Sequence, residues 1–130
     1  SVSRTGMEVC CGGIIGLGEN MAQRIKMAFE IKALGIKSVP LNILNPIPGT
    51  PFADKRRLPP EEILRSIAIF RFILPEADLR YAGGRNALGQ FQKTGLKAGI
   101  SAAMVGDFLT TTGNKIADDL MMFKEEGFEF

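Results

Sequence analysis

The chain has 130 residues and a mass of 14.1 kDa, which bounds it at a single domain, residues 1–130, with a modest core. At 45% hydrophobic and 23% charged it has the composition of a folded globular chain, and no apolar run approaches the ~20 residues of a membrane span. The net charge is +2, both signs are interspersed and only Lys55-Arg56-Arg57 cluster, so the basic stripe of a nucleic-acid binder is missing.

Period and punctuation give the same strand–turn–helix unit four times. The first strand is expected over Met7–Ile15, a continuous apolar run closed by Gly16-Leu17-Gly18. A helix is expected from about Asn20 to Leu34, with Asn20 as N-cap, Met21, Ile25, Ala28 and Phe29 on its inner face, and Gly35 as a left-handed C-cap. The second strand, Ser38–Leu44, runs into Asn45-Pro46-Ile47-Pro48-Gly49-Thr50-Pro51, whose prolines remove donors and force an extended loop. Pro59-Pro60-Glu61-Glu62 opens the next helix, because proline fits a first turn and carboxylates complement the positive helix end. Its stripe is Ile63, Ile67, Phe70 and Leu74, and Pro75 stops it. The third strand is expected near Asp78–Ala82, followed by Gly83-Gly84 and a less apolar helix over Asn86–Lys97 with Leu88, Phe91 and Leu96 inside. A fourth strand near Ile100–Val105 leads through Gly106–Gly113 to a last helix, Lys115–Glu126, capped by Asn114, with Ile116, Leu120 and Phe123 facing in.

Four such units imply parallel strands with right-handed crossovers, either a small doubly wound sheet or half of an eight-stranded (β/α)8 barrel. A half-barrel leaves two sheet edges and one sheet face uncovered, a liability unless something covers them. The loops favour the half-barrel.

The chain has no histidine, which excludes a Ser-His or Cys-His hydrolase contained within it. Its two cysteines, Cys10 and Cys11, are neighbours and cannot staple distant segments, so a reducing, cytoplasmic setting is expected. No basic segment precedes an apolar stretch as in a secretory signal. The chain starts at Ser1 rather than Met and is expected to be a fragment.

Parallel α/β folds gather function at the carboxyl ends of their strands. Three polar residues stand in otherwise apolar strands: Cys10, Asn42 and Arg80. Cys10 reads as a small buried hydrophobe or a ligand, and Asn42 as a backbone-paired amide or a binding group. Arg80 needs a partner if it points inward, or it snorkels outward beside a helix. Gly12-Gly13-Ile14-Ile15-Gly16-Leu17-Gly18-Glu19 reads equally as a ligand loop or a tight turn, and matches neither a Rossmann nor a P-loop pattern.

Taken in order, residues 6–19 (GMEVCCGGIIGLGE), 38–51 (SVPLNILNPIPGTP), 79–85 (LRYAGGR) and 109–114 (LTTTGN) resemble the C-terminal half of biotin synthases, a family of radical S-adenosylmethionine (SAM) enzymes. The resemblance spans nearly the whole chain and implies strands five to eight of the radical SAM barrel. It implies a SAM-facing role for Gly12, Ile14, Gly16 and Glu19, which fit the G-x-I-x-G-x-x-E pattern, and for the backbone around Asn45. It further implies that Asn42 hydrogen-bonds the ureido ring of dethiobiotin, and that Cys10 and Arg80 are ligands of an auxiliary [2Fe–2S] cluster. In that family a [4Fe–4S] cluster cleaves SAM to a 5′-deoxyadenosyl radical, which activates dethiobiotin for sulfur insertion. The C-x-x-x-C-x-x-C motif of that cluster and two further auxiliary-cluster cysteines are absent here and are expected upstream of Ser1, so the chain alone is expected to be inactive. An electron-donor protein and a homodimer are expected for the intact enzyme. The alternatives are another radical SAM enzyme, a self-associating scaffold half-barrel and, last, an aldolase-like half-barrel, for which no expected strand carries a lysine.

Overall fold

Four parallel strands pair in chain order: β1 (Gly13–Ile15), β2 (Ser38–Ile43), β3 (Asp78–Tyr81) and β4 (Ala102–Ala103). The computed structural model describes residues 5–108 and 112–129. Crossovers are made by α1 (Met21–Ala33), by α2 (Pro60–Ile73), and by a 3₁₀ segment (Arg85–Phe91) running into α3 (Gln92–Ala98); α4 (Ile116–Glu125) follows β4. A doubly wound sheet reverses its strand order at a switch point, and this sheet does not. Right-handed crossovers in unreversed order put the helices on one face, and α1 packs on α2 and α2 on α3. The arrangement is consistent with half a barrel.

Burial alternates along the strands accordingly. Val39, Leu41 and Ile43 of β2 and Leu79 and Tyr81 of β3 are buried against Ala28, Ile31, Ile63, Ile67 and Phe70 of the helices. Ser38, Pro40 and Asn42 of β2, Arg80 of β3 and Ile14 of β1 face the other way and are partly or well exposed. The accessible surface, 8176 Å², exceeds the roughly 6,700 Å² of a compact chain of this mass, and the open sheet face accounts for part of the excess.

Helix α2 follows expectation: it starts at Pro60 after an extended Pro59, with Glu61 and Glu62 in its first turn, and buries Ile63, Ile67, Phe70 and Leu74. Beyond its end, Arg71 donates to the carbonyls of Leu74, Pro75, Ala77 and Gly99 and to Ser101 Oγ, at 2.7–3.1 Å. One guanidinium thus ties the turn after α2 to the starts of β3 and β4.

Other expectations are corrected. The strand expected from Met7 is paired only over Gly13–Ile15, preceded by a single bridge between Cys10 and Ser38. Pro40, opposite the gap, has no N–H to continue the ladder. Asn20 does cap α1, in a reciprocal box with Gln23, and Gly35 takes φ +67°. The buried stripe of α1, however, is Arg24, Ala28 and Ile31, while Phe29 is exposed. The helix expected over Asn86–Lys97 breaks at Gly89, whose φ of +50° no α-helix accommodates; Leu88 and Leu96 are buried and Phe91 is not. Strand β4 is short, and α4 is preceded by Lys115 with no side-chain cap.

Asn114 instead donates to Asp119 Oδ1 at 2.9 Å and to Gln92 Oε1 at 3.2 Å. Asp119 also pairs with Arg85, both 1% exposed, and the Arg85 guanidinium lies 6.0 Å from the centroid of the Tyr81 ring. Asp119 and Phe123 are therefore the buried face of α4, while Ile116 is exposed. Of the segment 109–114, Leu109, Thr110 and Thr111 lie outside the described residues.

Candidate functional site on the open sheet face

Cys10, Asn42 and Arg80 all lie on the sheet face that the helices leave uncovered. Strand alternation puts them there: Ser38 and Asn42 share a face of β2, Ser38 is bridged to Cys10, and Arg80 is in register with Pro40. The register also sets Ile14 beside Asn42.

Cys10 and Arg80 are joined by a residue that sequence reasoning missed. Arg80 Nη2 donates to Ser38 Oγ at 3.0 Å, and Ser38 Oγ–H donates to Cys10 Sγ at 3.3 Å. A serine opening a strand gives no signal of its own; its place opposite Cys10 appears only with the register. Arg80 Nε is buried without a partner, and the Cys10 thiol is exposed. An unsatisfied donor and a free thiol a single hydroxyl apart suit an acceptor-rich, thiophilic group such as an iron–sulfur cluster, whose sulfides accept hydrogen bonds. Among the described residues no group of three or more His, Cys, Asp or Glu side chains could hold a metal ion.

Ser38→Ala removes both hydrogen bonds. The expected cost is about 1 kcal/mol, read as a lower urea midpoint, with Ser38→Thr, which keeps a hydroxyl, closer to wild type. An unchanged midpoint in the alanine variant would leave the link without weight.

Asn42 sits higher on the same strand, four residues or about 13 Å from Ser38. Its Oδ1 accepts from Gly83 N at 3.0 Å and its Nδ2 donates to Gly13 O at 3.4 Å. The amide is thereby fixed between β1 and the loop after β3, with one N–H and one lone pair left over. Asn45 lies at the carboxyl rim, its Oδ1 accepting from Arg57 Nη2 at 2.7 Å, and it lines a cavity of about 210 Å³ with Arg57, Gly84, Arg85 and Asn86. Contrary to the rule that function gathers at the rim, the thiol end of the site lies toward the amino ends of the strands.

The glycines of the first loop are accounted for by chain packing. A Cβ on Gly12 would sit 1.9 Å from Pro40 O, and one on Gly13 would sit 2.6 Å from Met27 Sδ. Gly16 and Gly18 have φ of +100° and +117°, and both donate their N–H to Glu19, at 2.7 and 3.1 Å. Burial alone would raise the Glu19 carboxyl, but hydrogen bonds from Gly16, Arg24 and its own N–H outweigh it and hold the group below the usual carboxylate range. Glu19 thus shapes the loop from within, and Ile14 of β1 stands exposed before it.

A family model described as the Biotin and Thiamin Synthesis associated domain matches residues 40–129. The chain is 62% identical over 129 residues to a biotin synthase of Acetivibrio thermocellus, covering 99% of this chain and 40% of that protein. It is 55% identical over 124 residues to one of Fusobacterium nucleatum subsp. nucleatum (95% and 34% covered) and 52% over 127 residues to one of Clostridium tetani (98% and 39% covered). The chain spans about two fifths of the length of the curated relatives it matches.

Proposed function

We propose, because this chain belongs to the Biotin and Thiamin Synthesis associated domain family and is similar along nearly its whole length to biotin synthases, that it forms the C-terminal half of a biotin synthase, as one domain contributing strands five to eight of a radical SAM barrel. The observation that carries this reading is the Cys10–Ser38–Arg80 chain on the open sheet face. A half-sheet that needed only to fold would gain nothing from a part-buried guanidinium whose Nε is buried and unsatisfied on the side away from its core.

In this reading Cys10 and Arg80 are two ligands of a [2Fe–2S] cluster, and the other ligands, with those of a [4Fe–4S] cluster, come from outside these residues. The bound clusters and SAM supply the radical and the sulfur that turn dethiobiotin into biotin. Ser38 holds Arg80 through Nη2 beside the Cys10 thiol, which leaves the other guanidine nitrogens to face the cluster. Asn42 offers its remaining N–H and lone pair to a ureido group, which carries the complementary acceptor and donor. Ile14 gives apolar surface to the SAM side, beside the backbone of Gly12, Gly16 and Asn45, with Glu19 fixing the loop. A reducing cytoplasm, an electron-donor protein and a homodimeric enzyme belong to the same proposal. Among the described residues no helix is long and apolar enough to cross a membrane.

The test is anaerobic reconstitution of the full-length protein with iron and sulfide, then incubation with SAM, dethiobiotin and reductant. Biotin is the expected product, and its absence from protein with intact cluster spectra would defeat the reading. Residues 1–130 alone are expected to form none. Asn42→Ala should weaken dethiobiotin binding by about 5–150-fold, the equivalent of roughly 1–3 kcal/mol for losing hydrogen bonds in a buried site. Equal affinity in the variant would remove Asn42 from the substrate site.

A further inference from the structure

The loop after β1 is held by a chain of charged groups that ends on α2. Arg24 is 1% exposed, the buried center of the α1 stripe where hydropathy calls for an apolar residue. Its Nε donates to Glu19 Oε1 at 2.7 Å, and its Nη1 reaches Glu62 Oε1 at 2.8 Å and Ser66 Oγ at 3.1 Å. Ser66 in turn donates to the Glu62 carbonyl at 2.8 Å. On the other side, Glu19 receives the N–H groups of Gly16 and Gly18. One guanidinium therefore fixes the carboxylate that folds the glycine loop and the first turn of the helix that follows the loop after β2.

A buried guanidinium between carboxylates is a poor way to gain stability, since well-packed apolar side chains serve as well or better. What its planar fork supplies is orientation. The two segments it orients meet at the rim: a Cβ on Gly16 would come within 3.3 Å of both Leu44 and Leu58, which flank the loop between β2 and α2. Gly16 and Gly18, at positive φ, have no default preference for this conformation. The Glu19 carboxylate accepts both N–H groups, so the loop offers neither to an outside anion.

We infer that Arg24 is a positioning residue, which sets the glycine loop against the start of α2 before any ligand arrives, so that the adenosyl group of SAM meets a preformed rim. The inference rests on the reading of this loop as SAM-facing. A preset loop leaves less ordering to be done on binding, which appears as affinity.

The experiment uses full-length protein with reconstituted clusters, carrying Arg24→Gln, Arg24→Lys or Glu62→Gln. Glu62 is partly exposed, so its variant retains the fold should Arg24→Gln lose it. SAM binding is read by equilibrium dialysis, and amide hydrogen exchange is read without SAM. Arg24→Gln should weaken SAM binding roughly tenfold and speed exchange at the Gly16 and Gly18 amides, with cluster absorbance unchanged. Glu62→Gln should move both readouts the same way by less, and Arg24→Lys, with charge but no fork, should recover them only in part. Wild-type SAM affinity and exchange in Arg24→Gln and Glu62→Gln would overturn the inference. So would exchange that speeds uniformly along α1 and α2, the signature of a residue that only stabilises. Wild-type protein that binds no SAM would sink the proposed function, while faster exchange confined to the loop would still establish Arg24 as its anchor.

Discussion

Asp119→Ala lowers the unfolding free energy by about 3–5 kcal/mol, the cost of breaking a buried ion pair from one side. Asp119 and Arg85 are each 1% exposed, and Arg85 Nε and Nη1 already lack partners. Without the carboxylate, the buried guanidinium keeps only the face of Tyr81 as a favourable neighbour among the described residues. Asn114 loses its acceptor on Asp119 in the same step, so the turn into α4 loosens with the pair. Urea unfolding is the measurement, with the double variant Arg85→Met/Asp119→Leu beside it. The double variant should recover most of the loss, because the penalty belongs to the uncompensated charge and not to the missing contact. A single variant as stable as wild type would mean that the guanidinium finds water or another acceptor.

Cys10→Ala in the full-length protein should abolish the auxiliary cluster and, with it, biotin formation. A [2Fe–2S] cluster is held through thiolates, and Cys10 is the thiol that Ser38 ties to Arg80. Its neighbor Cys11 is the control: adjacent side chains of an extended chain point to opposite sides, and the Cys11 link to Ser38 is through its backbone N–H. Visible absorbance after reconstitution distinguishes the two, with Cys11→Ala expected at wild-type levels. Loss in Cys11→Ala and retention in Cys10→Ala would assign the ligand to the other thiol.

Helix α2 was legible because every device agreed: proline and acids at its start, one apolar stripe, proline after its end. Helix α1 was legible in its ends and not in its face. Hydropathy ranks Phe29 as buried and Arg24 as exposed, and the reverse holds because Arg24 meets two carboxylates from different elements, which no local window sees. The α4 face misled for the same reason, with Asp119 turned inward to Arg85. The break at Gly89 did have a signal, the glycine itself. Cys10, Asn42 and Arg80 stood out as polar residues in apolar strands and do share a face, whereas Ser38 did not stand out, since a polar residue at the start of a strand is unremarkable until its neighbours across the sheet are known.

Strand β2 writes two surfaces in one six-residue word, SVPLNI. Its even letters, Val39, Leu41 and Ile43, belong to the helix layer, and its odd letters, Ser38, Pro40 and Asn42, belong to the open face. Substituting a single letter damages one surface. Deleting or inserting one shifts the reading by half a period, pushing a serine and an amide into the apolar layer and aliphatics onto the open face. Length changes of one residue should therefore be far rarer here than point substitutions.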